Sequence, residues 1–220
     1  MEFDAARLLD DDYLAARAKA IDMKRAQDPP PGEPREGGTV YLATADANGM
    51  MVSYIQSNYM GFGSGIVVPG TGISLPNSGA GFSLKPGHPN LVGPGKRPFQ
   101  TIIPGFLTKD GKPVMSFGVM GGQMQPQGHA QMVTRIVDYH QNPQAASDGP
   151  RWIVNSDFSV SFETERFAPG VLEELKGRGH RVVESEAAMF GFGGAQLVWR
   201  LDDGYCAGSD HRKDGHAIGF

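Results

Sequence analysis

A chain of 220 residues with a formal net charge of -4 is long enough for one domain with a sizeable core, and it lacks the basic excess that nucleic-acid binding requires. Its single cysteine, Cys206, excludes an intrachain disulfide and a cysteine-rich metal site, so we expect a structural residue there. No apolar run approaches the length that spans a bilayer, and the acidic N-terminus is unlike a signal peptide, so we expect a cytoplasmic protein without a membrane segment.

The first predicted element is a helix at residues 5–26, where apolar side chains recur close to the helical period. The segment Asp28-Pro29-Pro30-Pro31 ends this helix, because proline cannot continue a helix and restrains the residue before it. Residues 28–38 are therefore expected to form an extended linker. On this basis we divide the chain into a helix with its linker, 1–38, and a larger region, 39–220.

A β-hairpin is predicted directly after the linker. Its strands run from Val40 to Ala45 and from Met51 to Ser57, and Asn48-Gly49 between them tolerates the positive φ values of a tight turn. Thr39 is then the first residue of the hairpin. The glycine- and proline-rich stretch at 69–98 is a loop of the length that usually covers or forms a functional site.

The rest of the chain alternates strands with helices and contains further hairpin signals at Asp110-Gly111 and Asp203-Gly204. The predicted strands are 101–108, 114–119, 151–154, 158–163, 181–184, 196–201 and 205–208, and the predicted helices are 127–141, 143–147 and 169–178. This order favours a layered α/β or α+β architecture.

Thr39 is the residue with the most specific potential chemistry. A threonine hydroxyl becomes an effective nucleophile when a base takes its proton, and the free α-amine of an N-terminal threonine can be that base. Thr39 gains such an amine only if the Gly38–Thr39 bond is cut. The small glycine and the linker before it leave that bond accessible, but a threonine at the start of a strand is also ordinary. Composition alone therefore favours a structural threonine.

Several motifs occur in order along the chain. They are Thr39-Val40-Tyr41-Leu42-Ala43-Thr44-Ala45-Asp46, Asn48-Gly49-Met50-Met51-Val52-Ser53, Gly61-Phe62-Gly63-Ser64-Gly65-Ile66, Lys96-Arg97-Pro98, Lys109-Asp110-Gly111-Lys112, Gly121-Gly122, Ala145 to Arg151 and Ala207-Gly208-Ser209-Asp210-His211-Arg212. With these motifs in this order, the chain from Gly37 to Phe220 resembles the small subunit of the gamma-glutamyltransferase family. Residues 1–38 resemble the end of that family's large subunit.

The resemblance implies an α+β fold of the N-terminal nucleophile hydrolase type, a four-layer αββα sandwich that this chain would contain only in part. It implies a zymogen that cleaves itself between Gly38 and Thr39, with Thr39 as the nucleophile and Ser57 as a hydroxyl beside it. Gly121 and Gly122 would form the oxyanion hole, in which a preorganised donor contributes about 3 kcal/mol. The implied reaction is acyl transfer or hydrolysis of γ-glutamyl or related acyl amides such as glutathione, without a cofactor or a metal.

The predicted substrate-binding residues are Tyr59, Asn77, Gly81, Gln100 and Thr101. Familiar members of the family bind the donor's α-amino and α-carboxylate groups with an asparagine, an acidic residue and paired serines. Tyr59, Gly81, Gln100 and Thr101 stand at the matching positions here. An ammonium buried without its carboxylate partner is costly, so Gly81 argues against ordinary glutathione recognition. The substitutions favour the branch related to cephalosporin acylases and hydrolase-like members.

Two other interpretations concern metal binding and catalysis. The six histidines include no His-Glu-x-x-His pattern, so structural or surface roles are predicted for them rather than metal binding. Alternatively, the chain is a noncatalytic structural or partial subunit that needs a large-subunit partner to cover its apolar surface.

Overall fold

In a computed structural model, the described residues are 10–19, 39–100, 103–184 and 191–220. They belong to two units, Met1–Gly38 and Thr39–Phe220. In the first unit, α1 (Asp11–Lys19) confirms the middle of the helix predicted at 5–26. The N–H of Tyr13 donates to Asp10 Oδ1 at 2.8 Å at the start of this helix. The ends of the predicted helix, the linker and Gly38 lie outside the described residues.

In the second unit, β1 (Val40–Ala45) and β2 (Met51–Gln56) form the predicted antiparallel hairpin. The carboxylate of Asp46 closes its turn by accepting the N–H of Asn48 at 2.9 Å and that of Met50 at 3.0 Å. An aspartate at the start of a turn commonly binds the backbone in this way, which fixes the register of the hairpin.

The two faces of the hairpin differ in exposure. Tyr41 is 6% exposed, whereas Val40, Leu42, Val52 and Tyr54 are between 42% and 64% exposed. Leu42 pairs with Tyr54 across the hairpin, so these side chains lie on one face. An apolar face of this kind is typical of a surface that another part of a protein covers.

Seven strands and three helices follow among the described residues. The strands are β3 (Gly105–Lys109), β4 (Lys112–Met120), β5 (Trp152–Val154), β6 (Val160–Phe162), β7 (Val182–Glu184), β8 (Gly194–Arg200) and β9 (Tyr205–Ser209). The helices are α2 (Gln125–Val133), α3 (Pro143–Asp148) and α4 (Val171–Gly177).

The strands and helices predicted beyond residue 100 are confirmed with shifted ends. The strand predicted at 101–108 pairs only from Gly105 onward, and residues 101–102 lie outside the described part of the chain. The helix predicted at 127–141 begins earlier, at Gln125, and continues after Val133 as the π-helical turn Thr134–Asp138. Helix ends are the least predictable part of a periodic pattern because the first and last turns lack half of their backbone bonds.

Besides the two-stranded β1–β2 hairpin, the described part of the second unit contains two further sheets. One has the order β3-β4-β8-β9 and is antiparallel throughout, and the other has the order β5-β6-β7 with β6 and β7 parallel. The core packs against one face of the four-stranded sheet, where Met115, Phe117 and Val119 of β4 contact Met132 and Ile136. The side chains of β4 alternate, so Ser116 and Gly118 point to the opposite face.

The hairpin covers that opposite face of β4. The ring of Tyr41 lies directly over Gly118, where a Cβ would approach a ring atom to 2.7 Å. The hairpin, the four-stranded sheet and the helices α2 and α3 are thus three successive layers. Within the described residues, no helix is both long and apolar enough to cross a membrane.

Candidate active site

Thr39 and Ser57 flank the open end of the hairpin. The register pairs Val40 with Gln56, so Thr39 and Ser57 are the next residues outward. Oγ1 of Thr39 donates a hydrogen bond to Oγ of Ser57 at 2.9 Å. The same Ser57 oxygen accepts the N–H of Tyr59 at 3.0 Å. Ser57 is therefore oriented by the backbone and offers an acceptor to the Thr39 hydroxyl.

Tyr59 lies in a turn that Asn77 holds in place. Its φ of 76° is in the left-handed region, which a bulky residue adopts only when its surroundings enforce it. Asn77 Oδ1 accepts the N–H of Met60 at 3.0 Å, and Asn77 Nδ2 donates to the Met60 carbonyl at 3.3 Å. The N–H of Asn77 also donates to the carbonyl of Asn58 at 3.1 Å. The amide of Asn77 therefore supports the turn that carries Tyr59.

The Gly121–Gly122 turn follows the last residue of β4. Gly121 has φ 141° and Gly122 has φ 61°, values that suit glycine. A Cβ on Gly121 would lie 2.9 Å from Cα of Gly193, whereas the space beside Gly122 is open. The N–H of Met124 donates to the Gly121 carbonyl at 3.2 Å and starts the 3₁₀ turn that leads into α2. The turn presents backbone rather than side chains, which suits oxyanion donors.

The contact between Tyr41 and Gly118 joins the hairpin to the strand that leads into the glycine turn. The Tyr41 hydroxyl shares a hydrogen bond of 2.7 Å with Ser53 Oγ, and Ser53 Oγ donates to the Gly105 carbonyl at 2.7 Å. Burial raises the pKa of Tyr41 to about 12, so the phenol stays neutral. Thr39 is two residues from Tyr41 along the chain, and Gly121 is three residues from Gly118.

Gly81 and the residue before Gln100 lie close together. A Cβ on Gly81 would approach the Phe99 carbonyl oxygen to 3.2 Å. Asn90 connects the two segments, since its Nδ2 donates to the Gly81 carbonyl at 2.6 Å and its Oδ1 accepts the Phe99 N–H at 2.9 Å. Gln100 is exposed, and Thr101 lies outside the described residues. No pattern in the sequence indicates this role of Asn90.

The structure thus places a hydroxyl pair at the start of a hairpin and a glycine turn after a strand of the adjoining sheet. The family model for Gamma-glutamyltranspeptidase matches residues 1–220. The chain belongs to the gamma-glutamyltranspeptidase family. The resemblance stated from the sequence is thus confirmed.

Curated members of the gamma-glutamyltranspeptidase family match this chain over nearly its whole length. A glutathione hydrolase-like proenzyme of Bacillus subtilis is 37% identical over 97% of this chain and 41% of its own length. The oxamate amidohydrolase proenzyme of Klebsiella pneumoniae is 36% identical over 100% of this chain and 42% of its own length. The chain therefore spans about two fifths of the length of these relatives.

Solved structures give the same assignment. The cephalosporin acylase of Bacillus halodurans superimposes with a TM-score of 0.73 at 47% identity, covering 98% of this chain and 39% of that chain. A gamma-glutamyltranspeptidase of Pseudomonas nitroreducens superimposes with a TM-score of 0.70 at 24% identity, covering 82% of this chain and 98% of that chain. These relatives confirm the predicted fold, an N-terminal nucleophile hydrolase sandwich of which this chain contains a part.

A buried ion network at the C-terminal motif of this family member was not predicted. Arg151 and Asp210 are each 1% exposed, and Arg151 Nη2 binds Asp210 Oδ2 at 2.5 Å. Arg212 Nη1 binds Asp210 Oδ1 at 3.1 Å, and Arg212 also binds Glu163 through two bonds, of 2.5 and 2.6 Å. Burial opposes the charge of Asp210, but Arg151 and backbone N–H groups outweigh it and hold its pKa below the ordinary value.

His129 supports the end of β4. Its Nε2 accepts the N–H of Val119 at 3.0 Å, and its ring lies 5.0 Å from that of Phe117. Burial lowers the pKa of His129 to about 4, so the ring is neutral and Nε2 remains an acceptor at neutral pH. Within the described residues, no group of three or more His, Cys, Asp or Glu side chains could hold a metal ion.

Proposed function

We propose that this chain is the catalytic region of a threonine-nucleophile enzyme that hydrolyses or transfers acyl amides after self-cleavage between Gly38 and Thr39. The observation that carries the proposal is the hydrogen bond of 2.9 Å from Thr39 Oγ1 to Ser57 Oγ at the first residue of the second unit. Membership of a family whose curated relatives are described as proenzymes supports the cleavage step.

Self-cleavage begins with Thr39. Its hydroxyl oxygen attacks the carbonyl carbon of Gly38, and the acyl group moves from the Thr39 nitrogen to that oxygen as an ester. The hydroxyl proton passes to the departing nitrogen, which becomes the free α-amine. Water then hydrolyses the ester, which leaves a carboxyl on Gly38 and restores the Thr39 hydroxyl.

The same hydroxyl then acts on substrate. The α-amine of Thr39 takes the hydroxyl proton while the oxygen attacks the amide carbonyl of the substrate. The N–H groups of Gly121 and Gly122 stabilise the tetrahedral oxyanion. The proton passes to the leaving amine as the carbon–nitrogen bond breaks, and water or a second amine attacks the acyl ester to release the product. Ser57 keeps the hydroxyl of Thr39 aligned during both steps.

The acyl donor is an amide without an α-ammonium group. Gly81 has no carboxylate to pair with an ammonium, and the Asn77 amide is already bound by the backbone of Met60. Exposed Tyr59 and Gln100 offer neutral polar groups in place of charged ones. The relatives include an oxamate amidohydrolase and a cephalosporin acylase besides glutathione hydrolases, which is consistent with a donor site that varies across the family.

The large-subunit remainder of the family is the partner. The exposed face of Val40, Leu42, Val52 and Tyr54 is apolar, and it lies on the hairpin that carries Thr39. Covering this face would remove apolar surface from water. The same face would also suit a noncatalytic subunit, so activity has to be measured directly.

Mass spectrometry of the full native protein tests the proposal. A new N-terminus at Thr39 and acylation of that residue by an amide or ester probe are expected. Thr39→Ala should prevent both, whereas Thr44→Ala, an exposed threonine on the same strand, should prevent neither. If cleavage persists in Thr39→Ala, or if no probe acylates the cleaved protein, the proposed catalytic role of Thr39 is wrong. Either outcome would favour the noncatalytic subunit.

A further inference from the structure

The buried pair of Arg151 and Asp210 fixes the segment Phe192–Ala195. Arg151 Nη1 donates to the Phe192 carbonyl at 2.9 Å. Asp210 binds both backbone groups of Ala195, since its Oδ2 accepts the N–H at 2.7 Å and its own N–H donates to the carbonyl at 2.9 Å. The segment is therefore held at both ends by one ion pair.

This segment packs directly on the glycine turn. A Cβ on Gly121 would lie 2.9 Å from Cα of Gly193, so the two backbones touch. A Cβ on Gly193 would overlap the Met120 carbonyl and would lie 3.0 Å from Val119 Cγ1. Met120 also pairs with Gly194 at the end of the β4–β8 ladder. A shift of residues 192–195 toward the turn would therefore press on the backbone of Gly121.

We propose that Arg151 and Asp210 are positioning residues that set the direction of the Gly121 and Gly122 N–H groups through the segment Phe192–Ala195. This inference rests on the proposed function, in which those N–H groups bind the oxyanion. Neither Arg151 nor Asp210 touches substrate. Their effect is to hold the donors in the geometry of the transition state, because an oxyanion donor is effective only when its direction is fixed beforehand.

Glu163 provides a matched control within the same network. It binds Arg212 through two bonds, of 2.5 and 2.6 Å, and accepts the N–H of Arg151 at 2.8 Å. The bonds of its carboxylate go to these two arginines and not to the segment 192–195. Loss of the Glu163 charge should therefore lower stability without redirecting the glycine turn.

Asp210→Asn is the informative variant because both carboxylate oxygens of Asp210 accept hydrogen bonds. Oδ2 accepts from Arg151 and Ala195, and Oδ1 accepts from the backbone and side chain of Arg212. A carboxamide replaces one of these oxygens with an NH₂ donor, so in either orientation a donor faces a donor. Arg151→Lys is the milder variant, since it keeps the charge but cannot reproduce the fork of bonds to Phe192, Ser147 and Asp210.

The experiment compares Asp210→Asn, Arg151→Lys and Glu163→Gln in the full native protein. Amide hydrogen exchange of the peptides that cover 119–124 and 192–195 is the first measurement. We expect these peptides to exchange at least tenfold faster in Asp210→Asn and by an intermediate factor in Arg151→Lys. In Glu163→Gln they should be accelerated no more than the other peptides of the second unit, since a general loss of stability affects all of them. Equal exchange in all three variants, or an effect confined to 192–195, would overturn the inference.

Steady-state kinetics on an activated acyl amide is the second measurement. We expect kcat to fall at least tenfold in Asp210→Asn with KM within threefold of wild type, while Glu163→Gln keeps kcat within threefold. A loss of kcat in Glu163→Gln equal to that in Asp210→Asn would also overturn the inference. If the wild-type protein is not acylated at Thr39, the proposed function fails, and hydrogen exchange still decides whether the ion pair controls the turn. If Asp210→Asn does not fold, Arg151→Lys decides both measurements.

Discussion

The Oγ1 of Thr39 donates to the Oγ of Ser57 across the open end of the hairpin at 2.9 Å. The N–H of Tyr59 donates to Ser57 Oγ at 3.0 Å and so holds this acceptor in place. The Thr39 hydroxyl therefore points in one direction and does not rotate freely. The hydrogen bonding of the β1–β2 hairpin thereby continues one residue beyond its outermost pair, Val40 and Gln56, and includes the proposed nucleophile.

Ser57→Ala should slow self-cleavage and substrate turnover. Without the Ser57 acceptor, the Thr39 hydroxyl can rotate freely. The activation free energy of each step should then rise by about 1 kcal/mol, which lowers each rate about fivefold. Ser57→Thr keeps a hydroxyl at the same place and should retain most of the activity. The rate of appearance of the Thr39 N-terminus measures cleavage. Equal rates for wild type and Ser57→Ala would show that Ser57 does not align the nucleophile.

Gly118→Ala should separate the hairpin from the sheet. The added Cβ would lie 2.7 Å from the Tyr41 ring and 2.9 Å from the Ile103 side chain. Such overpacking typically costs about 1–3 kcal/mol of unfolding free energy. Gly177→Ala is the control, because a Cβ there meets nothing within 4 Å and the residue lies in α4. Urea unfolding of both variants checks the prediction, and equal stabilities would contradict it.

The hairpin and the glycine turn could be predicted because their signals are local. Asn48-Gly49 between two alternating apolar runs indicates a hairpin, and Gly121-Gly122 follows directly on an apolar strand. The partners of Asp210 could not be predicted, because Arg151 lies 59 residues away and periodicity carries no information about such pairs. The same holds for Asn77, whose partner Met60 is 17 residues away.

Stability should fall in acid through His129. Its pKa is about 4 in the folded protein against 6.5 as the ordinary value, so the unfolded chain binds a proton first as the pH falls. The stability from neutral His129 is fully present above pH 6.5 and declines as the pH falls from about 6.5 to 4. His129→Gln, which keeps an acceptor for Val119, should flatten this part of the profile.

Urea unfolding at a series of pH values measures the effect of His129. The carboxylates of Asp210 and Glu163 also lose their charge in acid, so the informative quantity is the difference between wild type and His129→Gln. His180→Gln, at an exposed position, should leave the profile unchanged. Parallel profiles for wild type and His129→Gln between pH 6.5 and 4 would contradict the prediction.

The donor preference can be tested at Gly81. We expect wild-type protein to hydrolyse a glutaryl amide faster than the matching γ-glutamyl amide, which differs by an α-ammonium group. Gly81→Asp should raise kcat/KM for the γ-glutamyl amide relative to the glutaryl amide by about tenfold, since a charged partner contributes about 1.5 kcal/mol or more. Its Cβ would lie 3.2 Å from the Phe99 carbonyl, so a modest loss of stability should accompany the change.

Gly79→Asp is the control for this substitution. It places the same carboxylate two residues earlier on the 3₁₀ turn Ser78–Gly81, where a Cβ meets nothing within 4 Å. It should therefore leave the ratio of the two kcat/KM values unchanged. An equal gain in both variants would indicate general electrostatic attraction of the cationic donor rather than a specific pair at Gly81. A wild-type preference for the γ-glutamyl amide would show that another group binds the α-ammonium, and the donor assignment from Gly81 would be wrong.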